Sequence, residues 1–128
     1  MNSPEIIQQW LLKAEHDLGT AKLTYLHIPE YYDTICFHCQ QAVEKYLKSY
    51  LIFLDIEFKP VHDLRYLLNL ILTVDQSFDP LYENIAALND FAVKIRYPDQ
   101  AIQPAPAELE EAINLAQNVK ELVENKLL

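Results

Sequence analysis

Residues 36–48 read CFHCQQAVEKYLK, and this stretch holds both cysteines of the chain and one of its four histidines. Two readings compete. Cys36-Phe-His-Cys39 has the spacing of a redox or metal motif, whereas the same residues also continue a helical pattern. Cys36, Cys39, Val43, Tyr46, Leu47 and Tyr50 fall on one apolar stripe at helical spacing. A redox pair places its first cysteine at a helix N-terminus, where the dipole lowers the thiol pKa. Here the helix is expected to start near Tyr32, which puts the cysteines in its second turn. Structural zinc takes four ligands, and the chain has no second cysteine pair. The cysteines therefore read as small buried hydrophobes. No metal and no cofactor is expected.

Working outward, the central helix runs from about Tyr32 to Leu54 and is apolar on most faces, which places it at the centre of the fold. Before it, a helix from Pro4 to Leu26 opens with Ser3 as N-cap and Pro4 at its first position. Gly19, the single glycine, lies inside that helix and is expected to permit a close helix crossing. After the central helix, Asp55 to Pro60 form a loop, and a third helix is expected from Asp63 to Val74. Asp75 to Pro80 break the chain. A fourth helix runs from about Leu81 to Ile95, and Pro98 ends it near Tyr97. The stretch from Tyr97 to Pro106 holds three prolines, and a last helix covers Ala107 to Leu127. Long helices with short connectors predict an all-α fold. We expect a five-helix antiparallel up-and-down bundle, a four-helix core plus a short helix, as one domain over residues 1–128.

Composition bounds the function. The net charge is −9, from 10 basic and 19 acidic residues, and the acidity is spread along the chain. A free-standing nucleic-acid binder usually carries the opposite sign. DNA is not expected as a ligand, and phosphate binding requires a local basic pocket. No apolar run reaches the ~20 residues of a membrane span, and the N-terminus lacks the pattern of a signal peptide. A cytoplasmic protein is expected, with no membrane partner.

Three places carry candidate chemistry. His38, Gln41 and Lys45 are spaced i, i+3, i+7 and project from one face of the central helix. This is either a solvated face or the polar lining of a cleft, in which Lys45 suits a phosphate as a point charge and His38 suits proton transfer. His62-Asp63-Leu64 opens the third helix; an acidic first turn is also what any helix start favours. Arg96-Tyr97-Pro98 closes the fourth helix. There Arg96 offers a planar fork suited to phosphate, or else it satisfies terminal carbonyls or pairs with Asp17 or Asp99.

Together these segments resemble the HEPN family, the helical domain of higher eukaryotes and prokaryotes linked to nucleotide binding. The matching pieces are WLLKAEHDLGTAK, YDTICFHCQQAVEKYLKSYL, VHDLRYLL and FAVKIRYPD, in family order. The combination of Asp17-Leu18, His38-x-x-Gln41-x-x-x-Lys45, His62-Asp63-Leu64 and Arg96-Tyr97-Pro98 is specific. The resemblance implies a helical bundle, often a homodimer, encoded beside a minimal nucleotidyltransferase, with many such pairs resembling toxin–antitoxin modules. In the toxin role the family member is a metal-independent ribonuclease, whose signature is an arginine followed by four to six residues and a histidine. Arg96 matches the arginine, but none of the residues from Tyr97 to Pro104 is histidine. Ribonuclease activity and the family's nucleotide-accepting tyrosine are therefore not carried over, and no catalytic residue is assigned. The expected function is a nucleotide or RNA-phosphate binding module using Lys45, Arg96, His38, Tyr97, Gln41, His62 and Asp17. The alternatives are a ribonuclease with a displaced histidine and a non-catalytic helical homodimer that serves as an interaction protein. The acidic balance weighs against long RNA, leaves a single nucleotide open, and suits a basic partner.

Overall fold

The computed structural model describes residues 3–100 and 102–128. Among them are five α-helices: α1 (Pro4–His27), α2 (Tyr32–Phe53), α3 (Leu64–Leu72), α4 (Tyr82–Lys94) and α5 (Pro106–Leu127). Two 3-10 turns, Gln76–Leu81 and Pro98–Gln100, flank α4. No helix of the described residues is long and apolar enough to cross a membrane. The expected loop from Tyr97 to Pro106 includes Ala101, which lies outside the described residues.

The helix ends follow from side-chain chemistry. Ser3 caps α1 by accepting the Ile6 N–H at 3.4 Å, and Pro4 stands in the first turn. Asp63 accepts the Arg65 N–H at 2.9 Å, so it caps α3 from outside and the helix begins at Leu64 rather than Asp63. At its far end α3 stops at Leu72, short of Val74, because Thr73 and Val74 donate three residues back, to Leu70 and Ile71. The expected break from Asp75 to Pro80 is a 3-10 turn capped by Asp75. The end of α2 is less ordinary. Asp55 adopts a left-handed φ of 61°. Its N–H reaches the Ile52 carbonyl at 3.0 Å while Ile56 reaches Leu51 at 3.0 Å, the paired bonds that close a helix around a left-handed residue. Glycine usually fills that position, and aspartate is among the few others that tolerate it.

Contacts between helices set the directions. Trp10 meets Lys48 and Asp17 meets His38, so α1 and α2 are antiparallel. Lys120 bonds Glu15 and Glu110 bonds Tyr25, so α5 also runs against α1. Asn89 and Asp90 of α4 meet Leu64 and Arg65, and Asp75 meets Tyr50 and Lys126. The four long helices therefore alternate as expected. The short α3 is the exception and runs alongside α2 in the same direction, because residues 54–63 carry the chain back before it starts. α2 touches all four other helices. It buries Ile35, Cys36, Cys39, Ala42, Val43, Tyr46, Leu47 and Leu51 against Ala14, Leu18 and Ala21 of α1 and Ala116, Val119 and Val123 of α5. Gly19 does not serve a crossing inside the chain, since nothing lies within 4 Å of where its Cβ would sit.

Asp75 ties three elements together at the bottom of the bundle. It accepts from Tyr50 Oη at 2.6 Å and from the Ser77 hydroxyl at 2.6 Å, and pairs with Lys126 at 3.2 Å. Burial pushes its pKa up, but these donors outweigh burial and hold the carboxyl well below the usual range. A depressed folded pKa contributes stability above the ordinary value of ~3.9 and loses it as pH falls further. Asp75→Asn should cost about 1–3 kcal/mol at neutral pH. In thermal melts from pH 7 to pH 2, the gap between wild type and Asp75→Asn should be constant above pH ~5 and close progressively below pH ~4.

Candidate functional site

The candidate residues separate into two clusters on either side of α2. The first lies at the seam with α1. Asp17 is buried, and its carboxylate sits between His38 Nδ1 at 2.8 Å and Lys45 Nζ. His38 and Lys45 are two turns apart, so both reach the same carboxylate. The charge of Lys45 is thereby engaged, and the trio staples α1 to α2.

The second cluster lines a groove of about 510 Å³ between α2, the start of α3 and the end of α4. Phe37, Gln41, His62, Asn89 and Arg96 face it. Arg96 is exposed, and its guanidinium lies over the Phe37 ring at 5.4 Å from the centroid. It forms no ion pair among the described residues; the alternatives of Asp17 and Asp99 are not taken. Tyr97 follows it in the chain, 53% exposed, and is not among the residues that line the groove. On the other wall, Asn89 accepts the Leu64 N–H at 3.1 Å, and its side chain also hydrogen-bonds the Asp90 carboxylate. Arg65 forks onto Asp90 at 2.8 and 2.6 Å and holds α3 against α4.

Below the groove lies Glu44, only 2% exposed. Lys48 pairs with it at 2.8 Å, and Gln40 and Gln41 each donate to it at 3.4 Å. Lys48 is itself buried, near the rings of Trp10 at 5.3 Å and Phe58 at 5.9 Å. His62 Nδ1 lies 3.1 Å from both carboxylate oxygens. A carboxylate accepts, so Nδ1 carries the proton and, in the neutral imidazole, Nε2 keeps its lone pair. The His62 side chain is otherwise open to solvent, and its backbone carbonyl is held by Gln40 at 2.9 Å.

The HEPN domain profile matches residues 7–126. The chain belongs to the HEPN family. It is also similar to a solved archaeal HEPN homologue, ST0689, at 27% identity and a TM-score of 0.71, with 95% of this chain and 98% of that one covered. No curated protein matches it. Within this HEPN domain Arg96 stands at the end of α4, and the prolines that follow bring no histidine to it; His62 faces the same groove from the return segment instead.

In the groove, sequence patterning overlooked Phe37, Gln40 and Asn89, and beneath it Glu44. Glu44 was signalled by its position, since an acid between Val43 and Tyr46 on a buried helix needs a cation, and Lys48 stands at i+4. A further hollow of about 400 Å³ between α4 and α5 is lined by Leu88, Phe91 and Leu115 under Glu108 and Glu111, and holds none of the candidate residues. The cysteines face neither site. Burial raises Cys36 to about 12, helped by Asp33 and Glu108, and burial followed by the Cys36 charge raises Cys39 to about 12. Both are thiols with no reactive thiolate at neutral pH.

Two outcomes follow. A thiol reagent at pH 8 should leave the native protein unlabelled and modify two cysteines after unfolding in guanidinium. Glu44→Leu, which leaves Lys48 buried without its anion, should cost about 3–5 kcal/mol in denaturant melts. Glu44→Leu combined with Lys48→Met should recover most of that loss.

Proposed function

We propose that this HEPN protein binds a nucleotide or an RNA phosphate in the Arg96 groove. It does so in the cytoplasm beside a nucleotidyltransferase partner, in a pair of the toxin–antitoxin kind. One observation carries the reading: in a chain of net charge −9, the Arg96 guanidinium is exposed, backed by an aromatic face and in no ion pair among the described residues, although Asp63 lines the same groove. A planar fork in that state suits phosphate oxygens. Gln41 and Asn89, already bonded to their neighbours, and His62 add polar edges to the groove, and the exposed Tyr97 offers a ring on which a base stacks. Asp17, His38 and Lys45 position the α2 face behind Phe37, whose ring meets His38 edge-on at 5.3 Å. The acidic surface elsewhere suits a basic protein partner.

A second reading, a metal-independent ribonuclease, is favoured by the Glu44–His62 pair. A buried carboxylate orienting an imidazole is the arrangement of a positioned general base. His62 Nε2 would take the ribose 2′-hydroxyl proton as the 2′-oxygen attacks phosphorus. The 5′-oxygen leaves and takes up a proton, giving a cyclic 2′,3′-phosphate and a 5′-hydroxyl, with Arg96 against the developing charge.

The test is thermal melting with ATP, GTP and short single-stranded RNA, in wild type and Arg96→Ala. A ligand at ten times its dissociation constant stabilises by ~1.4 kcal/mol, a shift of roughly 5 °C for a domain of this size. We expect such a shift for one ligand in wild type and none in Arg96→Ala. No shift with any ligand, together with a lower melting point for Arg96→Ala alone, would make Arg96 structural and sink the binding reading. For the second reading, RNA cleavage in EDTA should vanish in both His62→Ala and Arg96→Ala; cleavage surviving in either removes it.

A further inference from the structure

The Arg96 groove is polarised from end to end. Its α4 wall runs Asn89, Ala92, Val93 and Arg96, spaced i, i+3, i+4, i+7, with Arg96 in the turn that closes the helix. Seven residues at helical rise set the two ends about 10 Å apart. The α2 wall runs the opposite way. Phe37 stands under Arg96 at 5.4 Å, and Gln40 reaches the His62 carbonyl at 2.9 Å. Asn89 accepts the Leu64 N–H at 3.1 Å, which puts His62 and Asp63 at the end away from Arg96.

The internal hydrogen bonds decide what each end offers a ligand. Arg96 is the only lysine or arginine that lines the groove. At the far end the donors are largely spent. Gln41 gives its amide nitrogen to Gln40 Oε1 at 2.8 Å and to Glu44 at 3.4 Å. Gln40 gives its own to the His62 carbonyl and to Glu44. His62 gives Nδ1 to Glu44 at 3.1 Å. Carboxylates and carbonyls only accept, so these bonds also fix which end of each amide is nitrogen. What is left is acceptor: Gln41 Oε1, the Nε2 lone pair of a neutral His62, and the Asp63 carboxylate. Asp63 uses Oδ1 to cap the Arg65 N–H at 2.9 Å, and the Arg65 guanidinium is taken by Asp90.

A ligand that fits carries an anion at one end and neighbouring N–H donors at the other. Among the common nucleotides the donors discriminate. The Watson–Crick edge of guanine presents two adjacent donors, N1–H and the N2 amino group. Adenine and cytosine each set one amino group beside a bare ring nitrogen, whose lone pair a carboxylate repels. Uracil has one N–H between two carbonyls. The Asp63 charge also keeps a phosphate at the Arg96 end, on the order of a Debye length away. Between the ends, Ala92 and the half-exposed Val93 give the ligand an apolar wall. Tyr97, outside the groove, is left to a neighbouring base when the ligand is RNA.

We propose that the groove selects guanine nucleotides, with the phosphate on Arg96 and the N1–H and N2 amino donors of guanine on Asp63. The proposal rests on the nucleotide reading of the groove and adds the base to it.

Calorimetric titration of the full chain with GMP, IMP, AMP, CMP and UMP tests it, in wild type, Asp63→Asn and Arg96→Ala. Asparagine caps a helix as well as aspartate does, so Asp63→Asn keeps the start of α3; unchanged helical circular dichroism checks this. In wild type, GMP should bind at least ~10-fold more tightly than AMP, CMP or UMP, the weight of one hydrogen bond to a charged group. IMP, which lacks the N2 amino group, should fall between. Asp63→Asn should bring GMP down to the level of AMP and leave AMP no weaker. Arg96→Ala should weaken all five together. Similar affinity for all five, lost in Arg96→Ala, would keep the phosphate site and overturn the guanine assignment. A preference for GMP that survives Asp63→Asn overturns it as well, because the base is then read elsewhere. No binding of any nucleotide to wild type removes the groove reading itself, and the base assignment with it.

Discussion

A carboxylate at the centre of a buried helix constrains much of this bundle. Glu44 sits among apolar residues on α2, at 2% exposure, where an isolated charge has no place. Lys48 from the same helix neutralises it, and Trp10 of α1 and Phe58 of the return segment close over Lys48. Gln40, Gln41 and His62 satisfy the remaining oxygen sites. One buried group thus recruits α1, α2 and residues 54–63. Well-packed apolar residues often give equal stability in such a position. The retention of a charge there fits a polar floor for the groove above it.

The same economy governs the electrostatics. Among the described residues, five of the ten lysines and arginines are held in ion pairs: Lys45 with Asp17, Lys48 with Glu44, Arg65 with Asp90, Lys120 with Glu15 and Lys126 with Asp75. A field of −9 repels phosphates at long range. Capture then depends on a local donor that is not already in an ion pair, and Arg96 on Phe37 is in that state among the described residues. Phe37 also meets His38, so the seam and the groove share one ring although they face different sides of α2.

The helices were legible in the sequence because their ends carry local chemistry: Ser3-Pro4 starts one, Asp63 caps another, and the prolines after Arg96 stop a third. The end of α2 was readable as a loop, but its closure on Asp55 was not, because the left-handed position lacks the glycine that marks it. The direction of α3 was hidden for a related reason. Periodicity reports which face of a helix is apolar and says nothing of where a ten-residue connector delivers it. At the site, the face shared by His38, Gln41 and Lys45 was legible at i, i+3, i+7. Its division was not: which neighbour each side chain meets depends on Asp17 and His62, residues 21 and 18 positions away from their partners His38 and Glu44. Gly19 was read as a crossing point, and the chain itself supplies no helix to cross it.

That division makes the missing histidine intelligible. After Arg96 the chain runs into Pro98 and a 3-10 turn, a path stiffened by proline and exposed to solvent, where a histidine would have no buried partner to orient it. The return of residues 54–63 solves the orientation problem differently. It lays His62 over Glu44, anchors its carbonyl on Gln40, and starts α3 with Asp63 and Asn89 satisfying the first helical N–H groups. An imidazole held in this way has one nitrogen committed to a buried carboxylate and the other presented outward. The parallel course of α3, the one break in the alternation of the bundle, is the geometric cost of bringing that side chain to the Arg96 groove.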